Sequence, residues 1–273
     1  MVTGSRVPLS GKLVYRWLPI RRRVVLDNLR RAFGRELGDD EIIRLAEAFY
    51  GHLARFAGEF LRFPFLGEQA RRDLVRIENE DAMLRAASGG KGVLVLTGHF
   101  GNWEVATLAG IARFPRYRGR FHVLRRPVRP RWIERLLNRR FRRAGLHVLP
   151  KLGSLDAILD RLAENDAVVF VLDQHAGGRD GVAVDFLGSP ASTFRSLAVI
   201  ALATGAPVVP LGAWREPDGR HVIRFDEPLP LLDDEDPVEA IRANTRAYNA
   251  ALERILRRHP EQWFWMHRRW KDA

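Results

Sequence analysis

The chain has 273 residues, enough to bury a large hydrophobic core in one α/β domain or in two smaller ones. It contains no cysteine, which excludes disulfide bonds, thiolate metal sites and a cysteine nucleophile. The 45 Lys and Arg residues give a formal net charge of +12. This excess indicates an anionic partner: nucleic acid, a phospholipid surface or an acidic carrier protein.

The N-terminal part of the chain is predicted to be helical. Apolar residues recur at helical spacing among the arginines of 20–34, and again in 40–60. The second stripe indicates helix–helix packing, whereas the first is equally consistent with packing or with contact to an anionic membrane. The aromatic segment 60–67 either contacts lipid or packs against the sheet. We predict a membrane-contacting helical extension over 1–70 and an α/β domain over 71–273, in one globular unit.

No segment is predicted to leave the cytoplasm or to cross a membrane. Residues 1–20 lack the unbroken apolar run of a secretory signal. The uncharged stretch 196–214 approaches the length of a spanning helix, which needs about 20 apolar residues. Gly205 and Pro207 divide this stretch. We therefore predict a helix that starts at 189–193 and runs through 194–204, followed by a strand at 207–213.

Short apolar runs alternate with helical patterns through the rest of the chain, which predicts an α/β fold. Strands are predicted at 75–78, 93–96, 121–124, 146–149, 167–172, 182–188, 207–213 and 221–225. Helices are predicted between them at 80–87, 104–112, 132–143 and 154–164, and a last one runs from 236 to just before Pro260.

The segment His-Phe-Gly-Asn-Trp-Glu at 99–104 is the strongest candidate site. It follows the apolar strand 93–96, and open α/β sheets bind ligands at the carboxyl ends of their strands. Neutral imidazole can accept a hydroxyl proton near pH 7, so His99 is a candidate general base. Glu104 is close enough in the chain to orient the ring, and amides near Gly98 and Gly101 are candidate donors to an oxyanion. A solvated His–Glu pair or a helix cap is the plainer alternative.

Three further features have functional interpretations. Asp173 follows the apolar strand 167–172 and is a second site candidate, or a cap for the glycine-rich loop that follows. Six arginines on the predicted helix 132–143 and its start favour contact with phosphates or an acidic protein. The tail 261–271 interleaves aromatic and basic residues, which is typical both of nucleobase stacking and of a membrane interface.

These motifs, in this order, resemble the bacterial lipid A biosynthesis lauroyl/myristoyl acyltransferases, a branch of the lysophospholipid acyltransferase superfamily. The resemblance extends from about Arg21 to Lys271. It is carried by GHFGNWE at 98–104, RP at 126–127, DQ at 173–174, FLGSPA at 186–191, TGAPVVP at 204–210 and PEQWFWMHRRW at 260–270.

The resemblance implies acyl transfer from an acyl carrier protein or coenzyme A thioester to a lipid-linked hydroxyl, most simply in lipid A biosynthesis. His99 would be the base and Glu104 its orienting acid, matching the family's H-x-x-x-x-[D/E]. Arg126, Asp173, Asn102 and Gln174 would bind substrate. The implied fold is a mixed, largely parallel central sheet flanked by helices, on the cytoplasmic face of the inner membrane. No metal, no cofactor beyond the thioester co-substrate and no nucleic-acid partner are expected.

Two departures from the family pattern leave the acceptor open. Many members carry a hydrophobic N-terminal anchor, so membrane binding without one is expected to be peripheral. His175 stands where the lipid A enzymes often have an acid or an amide. Phosphatidylinositol mannosides and lysophospholipids are alternative acceptors, and a non-catalytic basic lipid- or nucleic-acid-binding module is the alternative of another class. No G-x-S-x-G or H-E-x-x-H motif supports a serine hydrolase or a zinc protease.

Overall fold

The computed structural model describes residues 7–18, 20–151 and 153–271. Residues 1–6 of the predicted helical extension and residues 272–273 of the predicted α/β domain lie outside these ranges. The helices of this part of the chain are α1 (Leu9–Trp17), α2 (Arg22–Phe33), α3 (Asp39–Arg62), α4 (Glu68–Asp73), α5 (Glu80–Ser88), α6 (Trp103–Gly110), α7 (Arg131–Ala144), α8 (Leu155–Ala163), α9 (Ser196–Thr204) and α10 (Pro237–Arg258). The strands are β1 (Val75–Glu78), β2 (Val93–Thr97), β3 (Phe121–Arg125), β4 (Leu146–Pro150), β5 (Ala167–Val171), β6 (Gly181–Phe186), β7 (Ser189–Phe194), β8 (Val208–Arg215) and β9 (His221–Phe225).

Seven strands form one sheet in the order β1–β9–β8–β2–β5–β3–β4. All neighbouring pairs in it are parallel except β8 and β9, which are antiparallel. This arrangement confirms the predicted mixed, largely parallel α/β sheet flanked by helices. The carboxyl ends of β2, β5, β3 and β4 therefore lie together at one edge.

The central strand β2 is apolar along its whole length because helices cover both faces of the sheet. Val93 and Val95 pack into a core with α5, α6 and α7, on what we call the α6 face. Leu94 and Leu96 pack into a second core with α8, α9 and α10, on what we call the α9 face. Successive side chains of a strand point to opposite faces, so a continuous apolar run is what a strand between two cores requires.

The N-terminal helices belong to the core of the α9 face. Val25, Leu29 and Phe33 of α2 are fully buried, which confirms packing as the function of the first apolar stripe. Helix α1, which lies in the predicted helical extension but was not delimited there, crosses α3 at Gly11 and Gly51; a Cβ at Gly11 would clash with the Glu47 carbonyl oxygen. The close approach of the two backbones therefore depends on glycine.

The prediction of a helix start at 189–193 is wrong. These residues form β7, which pairs antiparallel with β6. Leu187 and Gly188, with φ of 53° and 74°, make the two-residue turn that closes the hairpin. The β6–β7 pairing supplies the backbone hydrogen bonds up to Phe194, so α9 begins only at Ser196. Among the described residues, no helix combines the length and the hydropathy needed to cross a bilayer.

Candidate active site

Two neighbouring parallel strands bring His99 and Asp173 together. Thr97, the last residue of β2, lies opposite Val171, the last residue of β5. His99 and Asp173 each follow two residues later, so the register of the sheet places them side by side. The His99 Nδ1 atom lies 2.9 Å from Asp173 Oδ1, and the His99 amide donates to Asp173 Oδ2 at 2.7 Å.

Asp173 is buried and fully hydrogen-bonded. Besides the two bonds from His99, its Oδ2 atom accepts a 2.7 Å bond from the Trp263 indole. Burial alone would raise the pKa of Asp173, but the His99 charge and these hydrogen bonds outweigh burial and lower it to about 2. The group is therefore a carboxylate at neutral pH.

His99 is arranged as a general base. Burial favours the neutral ring, but the charge of Asp173 and the hydrogen bond to it raise the pKa of His99 above the ordinary value of 6.5. With Nδ1–H donated to Asp173, the free lone pair is on Nε2. Nε2 has no hydrogen bond to any described residue, and His99 lines a cavity. This is the orientation that an acid imposes on histidine in a catalytic triad.

The sequence analysis expected Glu104 to orient the imidazole, but among the described residues it is Asp173 that bonds to His99 Nδ1. Glu104 lies in the first turn of α6 and lines the cavity, but its Oε2 atom is buried without a hydrogen-bond partner. Burial raises the pKa of Glu104, against the lowering effect of Arg125 and His99. The hydrogen bond to His99 Nδ1 comes from Asp173 instead, which follows the adjacent strand β5.

Asn102 holds the turn and does not line the cavity. It is fully buried, and its side-chain oxygen accepts from the Val105 amide at the start of α6. Its amide group donates to Glu59 Oε2 at 2.8 Å, and Glu59 in turn accepts a 2.8 Å bond from Arg215. Within the described residues, the Asn102 side chain is thus engaged in the protein itself, away from the cavity where substrate binding was expected for it.

Three backbone amides of the turn are already bonded within the protein. The Gly101 amide donates to Gln262 at 2.9 Å, the Phe100 amide donates to Gly98, and the His99 amide donates to Asp173. The left-handed φ of Gly101, 56°, and its contact with the backbone of β8 explain the glycine. The expectation that the Gly101 amide faces an oxyanion is wrong.

The other predicted site residues lie at the same edge. Gln174 and Arg126 line the cavity, together with Arg125 at the end of β3. The sequence analysis missed Lys151, which follows β4 directly and lines the cavity as well. Its position after a predicted strand was the signal that could have found it. Within the described residues, no group of three His, Asp or Glu side chains could hold a metal ion.

The cavity has a volume of about 820 Å³. His99 lines it beside the buried Asp173, and its deep part, lined by buried side chains, runs between α6, α7 and the sheet. Aromatic and aliphatic side chains line this deep part, together with Gly110: Phe114, Phe121, Phe141, Ile223 and Phe225. A largely apolar space of this kind suits a hydrocarbon chain.

The C-terminal segment forms the back wall of the site. The Phe264 amide donates to the His99 carbonyl, and the Trp265 carbonyl accepts a 2.8 Å bond from Asn28 of α2. Trp263, Trp265 and Trp270 are buried. The tryptophans are therefore core residues, and they neither stack on nucleobases nor contact a membrane interface.

Residues 9–272 match the sequence model of the family described as bacterial lipid A biosynthesis acyltransferase. The chain belongs to this family. The protein is an acyltransferase, so the non-catalytic basic module that its charge alone allowed is excluded.

Curated relatives of the acyltransferase come from mycobacteria. A phosphatidylinositol mannoside acyltransferase of Mycolicibacterium smegmatis is 26% identical over 249 residues, covering 89% of this chain and 77% of the relative. An enzyme of the same name from Mycobacterium tuberculosis is 27% identical over 261 residues, with the same coverage of both chains.

Proposed function

We propose that the acyltransferase moves a fatty acyl chain from an acyl-carrier-protein or coenzyme A thioester to a hydroxyl of a phosphate-bearing glycolipid. One observation carries the proposal: His99, whose Nδ1 is bonded to a buried carboxylate and whose Nε2 makes no hydrogen bond to a described residue, lines a largely apolar cavity. The cavity suits the acyl chain, and the base suits an alcohol acceptor.

In the proposed reaction, Nε2 of His99 takes the proton of the acceptor hydroxyl as its oxygen attacks the thioester carbonyl carbon. The tetrahedral intermediate collapses, the carbon–sulfur bond breaks, and the leaving thiolate takes the proton from the imidazolium. Asp173 stays ionised throughout and stabilises the imidazolium. Since the amides of His99, Phe100 and Gly101 are occupied, the positive charges of Arg125 and Arg126 are proposed as stabilisers of the oxyanion.

The acceptor is proposed at the level of a phosphate-bearing glycolipid. The family description points to lipid A, and the printed names of the curated relatives point to phosphatidylinositol mannosides. Both acceptors combine sugar hydroxyls, phosphate and hydrocarbon chains, and the cationic edge of the sheet beside an apolar cavity suits either.

We place the reaction at the cytoplasmic face of the inner membrane, where the protein binds peripherally. Helix α1 supports this location because Leu9, Leu13 and Trp17 form an exposed stripe at i, i+4 and i+8, with Trp17 74% exposed. An apolar stripe beside arginines is the pattern of a helix that lies on an anionic membrane.

The test is acyl transfer by the purified protein in mixed micelles, with acyl-CoA or acyl carrier protein thioesters as donors. A lipid A precursor and a mannosylated phosphatidylinositol are offered separately, and products are identified by mass spectrometry. We expect one acceptor to gain a single acyl chain, and His99→Ala to lose about 10²–10⁴-fold in kcat. The matched control is His147→Ala, an exposed histidine of β4 outside the cavity lining. Wild-type turnover by His99→Ala would exclude the proposed base.

A further inference from the structure

The cavity has two lobes on opposite faces of the sheet. One lobe, the α6 lobe, is the deep apolar space between α6, α7 and the sheet. The other, the α9 lobe, is lined by Leu155, Ile158, Phe170, Phe194, Val199 and Ile200. In β5, Val169 belongs to the core of the α6 face and Phe170 to that of the α9 face, and both line the cavity. The two lobes therefore join around the carboxyl edge of the sheet, beside His99.

The two lobes differ in their exposure to solvent. Phe114, Phe121 and Phe141 in the α6 lobe are buried. At the rim of the α9 lobe, Leu155 is 54% exposed and Val199 is 40% exposed. A closed lobe suits the single chain of a thioester, which the protein must enclose. An open lobe with an apolar rim suits one chain of a lipid whose other chains stay in the membrane.

Lys151 lines the cavity where the α9 lobe meets the His99–Asp173 pair. Its Nζ atom lies 3.8 Å from the centroid of the Phe194 ring, and in the described residues no carboxylate forms an ion pair with it. Burial and the nearby charge of Arg126 lower its pKa, while Asp173 and Asp180 raise it. A partly buried ammonium without a carboxylate partner, beside an open cavity, favours an anionic group of a ligand.

We propose that the α9 lobe binds one hydrocarbon chain of the phosphate-bearing lipid acceptor, with Lys151 on its phosphate, while the α6 lobe holds the donor chain. The proposal rests on the proposed acyl transfer and assigns each substrate to one face of the sheet. The two chains approach His99 from opposite faces, so the acceptor hydroxyl and the thioester carbonyl meet at Nε2 without competing for one space.

Direct binding to the catalytically inactive His99→Ala protein tests the assignment without requiring turnover. Because the chain has no cysteine, Leu155→Cys takes a single fluorescent bimane label at the rim of the α9 lobe. The probe is phosphatidylinositol with brominated chains, presented in detergent micelles. Val238→Cys is the control: Val238 is 58% exposed on α10 and is not in the cavity lining.

We expect the brominated phosphatidylinositol to quench the label at position 155 saturably and at position 238 only weakly. Lys151→Gln should weaken the quenching affinity about tenfold, the loss expected for one charge-assisted contact. The same variant should leave the affinity for brominated diacylglycerol, which lacks phosphate, within about twofold. Lys91→Gln, outside the cavity lining, is the matched control.

A brominated acyl-pantetheine thioester distinguishes the alternative occupant. If the thioester quenches position 155 and phosphatidylinositol does not, the α9 lobe holds the donor and the proposal is overturned. Equal quenching of positions 155 and 238 by phosphatidylinositol also overturns it. Neither result bears on whether His99 is the base, since that question is answered by turnover of His99→Ala.

Discussion

At the scale of single residues, the site depends on which carboxylate reaches His99. Two acids lie near the ring, and their environments separate them. Asp173 is ionised, hydrogen-bonded and pinned by Trp263, whereas Glu104 is buried with an unpartnered oxygen and a raised pKa. The first environment suits an acid that orients a base, and the second suits a group that contacts a ligand in the cavity.

Asp173→Asn is expected to lower kcat about 10²–10⁴-fold, because the amide cannot stabilise the imidazolium and favours the wrong tautomer. Glu104→Gln should lower kcat less than about tenfold, since it leaves the His99 hydrogen bonds intact. Steady-state thioester consumption measures both. A larger loss in Glu104→Gln than in Asp173→Asn would reverse the two assignments.

The acid limb of the pH profile should report the pKa of His99. The base acts when deprotonated, so kcat/KM is expected to rise with pH through a midpoint above 6.5, the ordinary value that Asp173 raises. In Asp173→Asn the lowering effect of burial remains while the raising effect of the carboxylate is lost. The midpoint of the residual activity should therefore move to lower pH, and an unchanged midpoint would contradict the coupling of the two groups.

At the scale of elements, a polar link fixes the turn between β2 and α6. Helix α3 supplies Glu59, β8 supplies Arg215, and Asn102 of the turn bonds to Glu59. His52 of α3 also lies 3.2 Å from the Arg215 guanidinium. Three elements thus meet behind His99, and the guanidinium of Arg215 is buried with Glu59 as its counter-ion.

Glu59→Ala should destabilise the protein by about 3–5 kcal/mol, because it leaves the buried Arg215 charge unpaired. Urea denaturation measures the change, and Glu68→Ala on the exposed α4 is the control, expected within about 0.5 kcal/mol of wild type. The double variant Glu59→Leu/Arg215→Met removes both charges and should regain at least half of the loss. A similar loss of stability in Glu59→Ala and in the control Glu68→Ala would contradict the role of the Glu59–Arg215 ion pair.

At the scale of the whole molecule, positive charge and exposed apolar side chains both bear on the proposed membrane binding. The chain carries a net charge of +12, α7 is rich in exposed arginines, and Trp132 of α7 and Phe65 are exposed along with the α1 stripe. In the peripheral binding proposed above, charge would attract the protein to an anionic surface and the apolar side chains would hold it there.

Trp17→Ser/Leu13→Ser is expected to weaken binding to vesicles of phosphatidylglycerol and phosphatidylcholine by about tenfold or more, since burial of each side chain contributes roughly 1.5–3 kcal/mol. Wild-type binding should also fall as salt rises from low to physiological concentration. Co-sedimentation measures both, with Val238→Ser on α10 as the control. Undiminished binding of the double variant would remove α1 from the membrane contact.

Local patterns in the sequence were sufficient for most of the elements, including β1 and β9 with their observed limits, and for His99 at the end of a buried strand. Which carboxylate pairs with His99 was harder to predict. That Asp173 meets His99 depends on β5 lying beside β2, and strand order in a parallel sheet is set by crossovers and packing over the whole chain. Motif spacing favoured Glu104, which is near His99 in sequence, but the hydrogen bond to His99 Nδ1 comes from Asp173. Strand β7 was missed because Ser189 and Pro190 also suit the start of a helix.

The C-terminal segment joins the first helices to the site. Trp263 donates to Asp173, and two residues further on the Trp265 carbonyl accepts from Asn28 of α2. The carboxylate beside His99 is therefore held through a segment that is itself anchored on α2, far away in the chain. Damage to that anchor should reach catalysis without any change in a residue that lines the cavity.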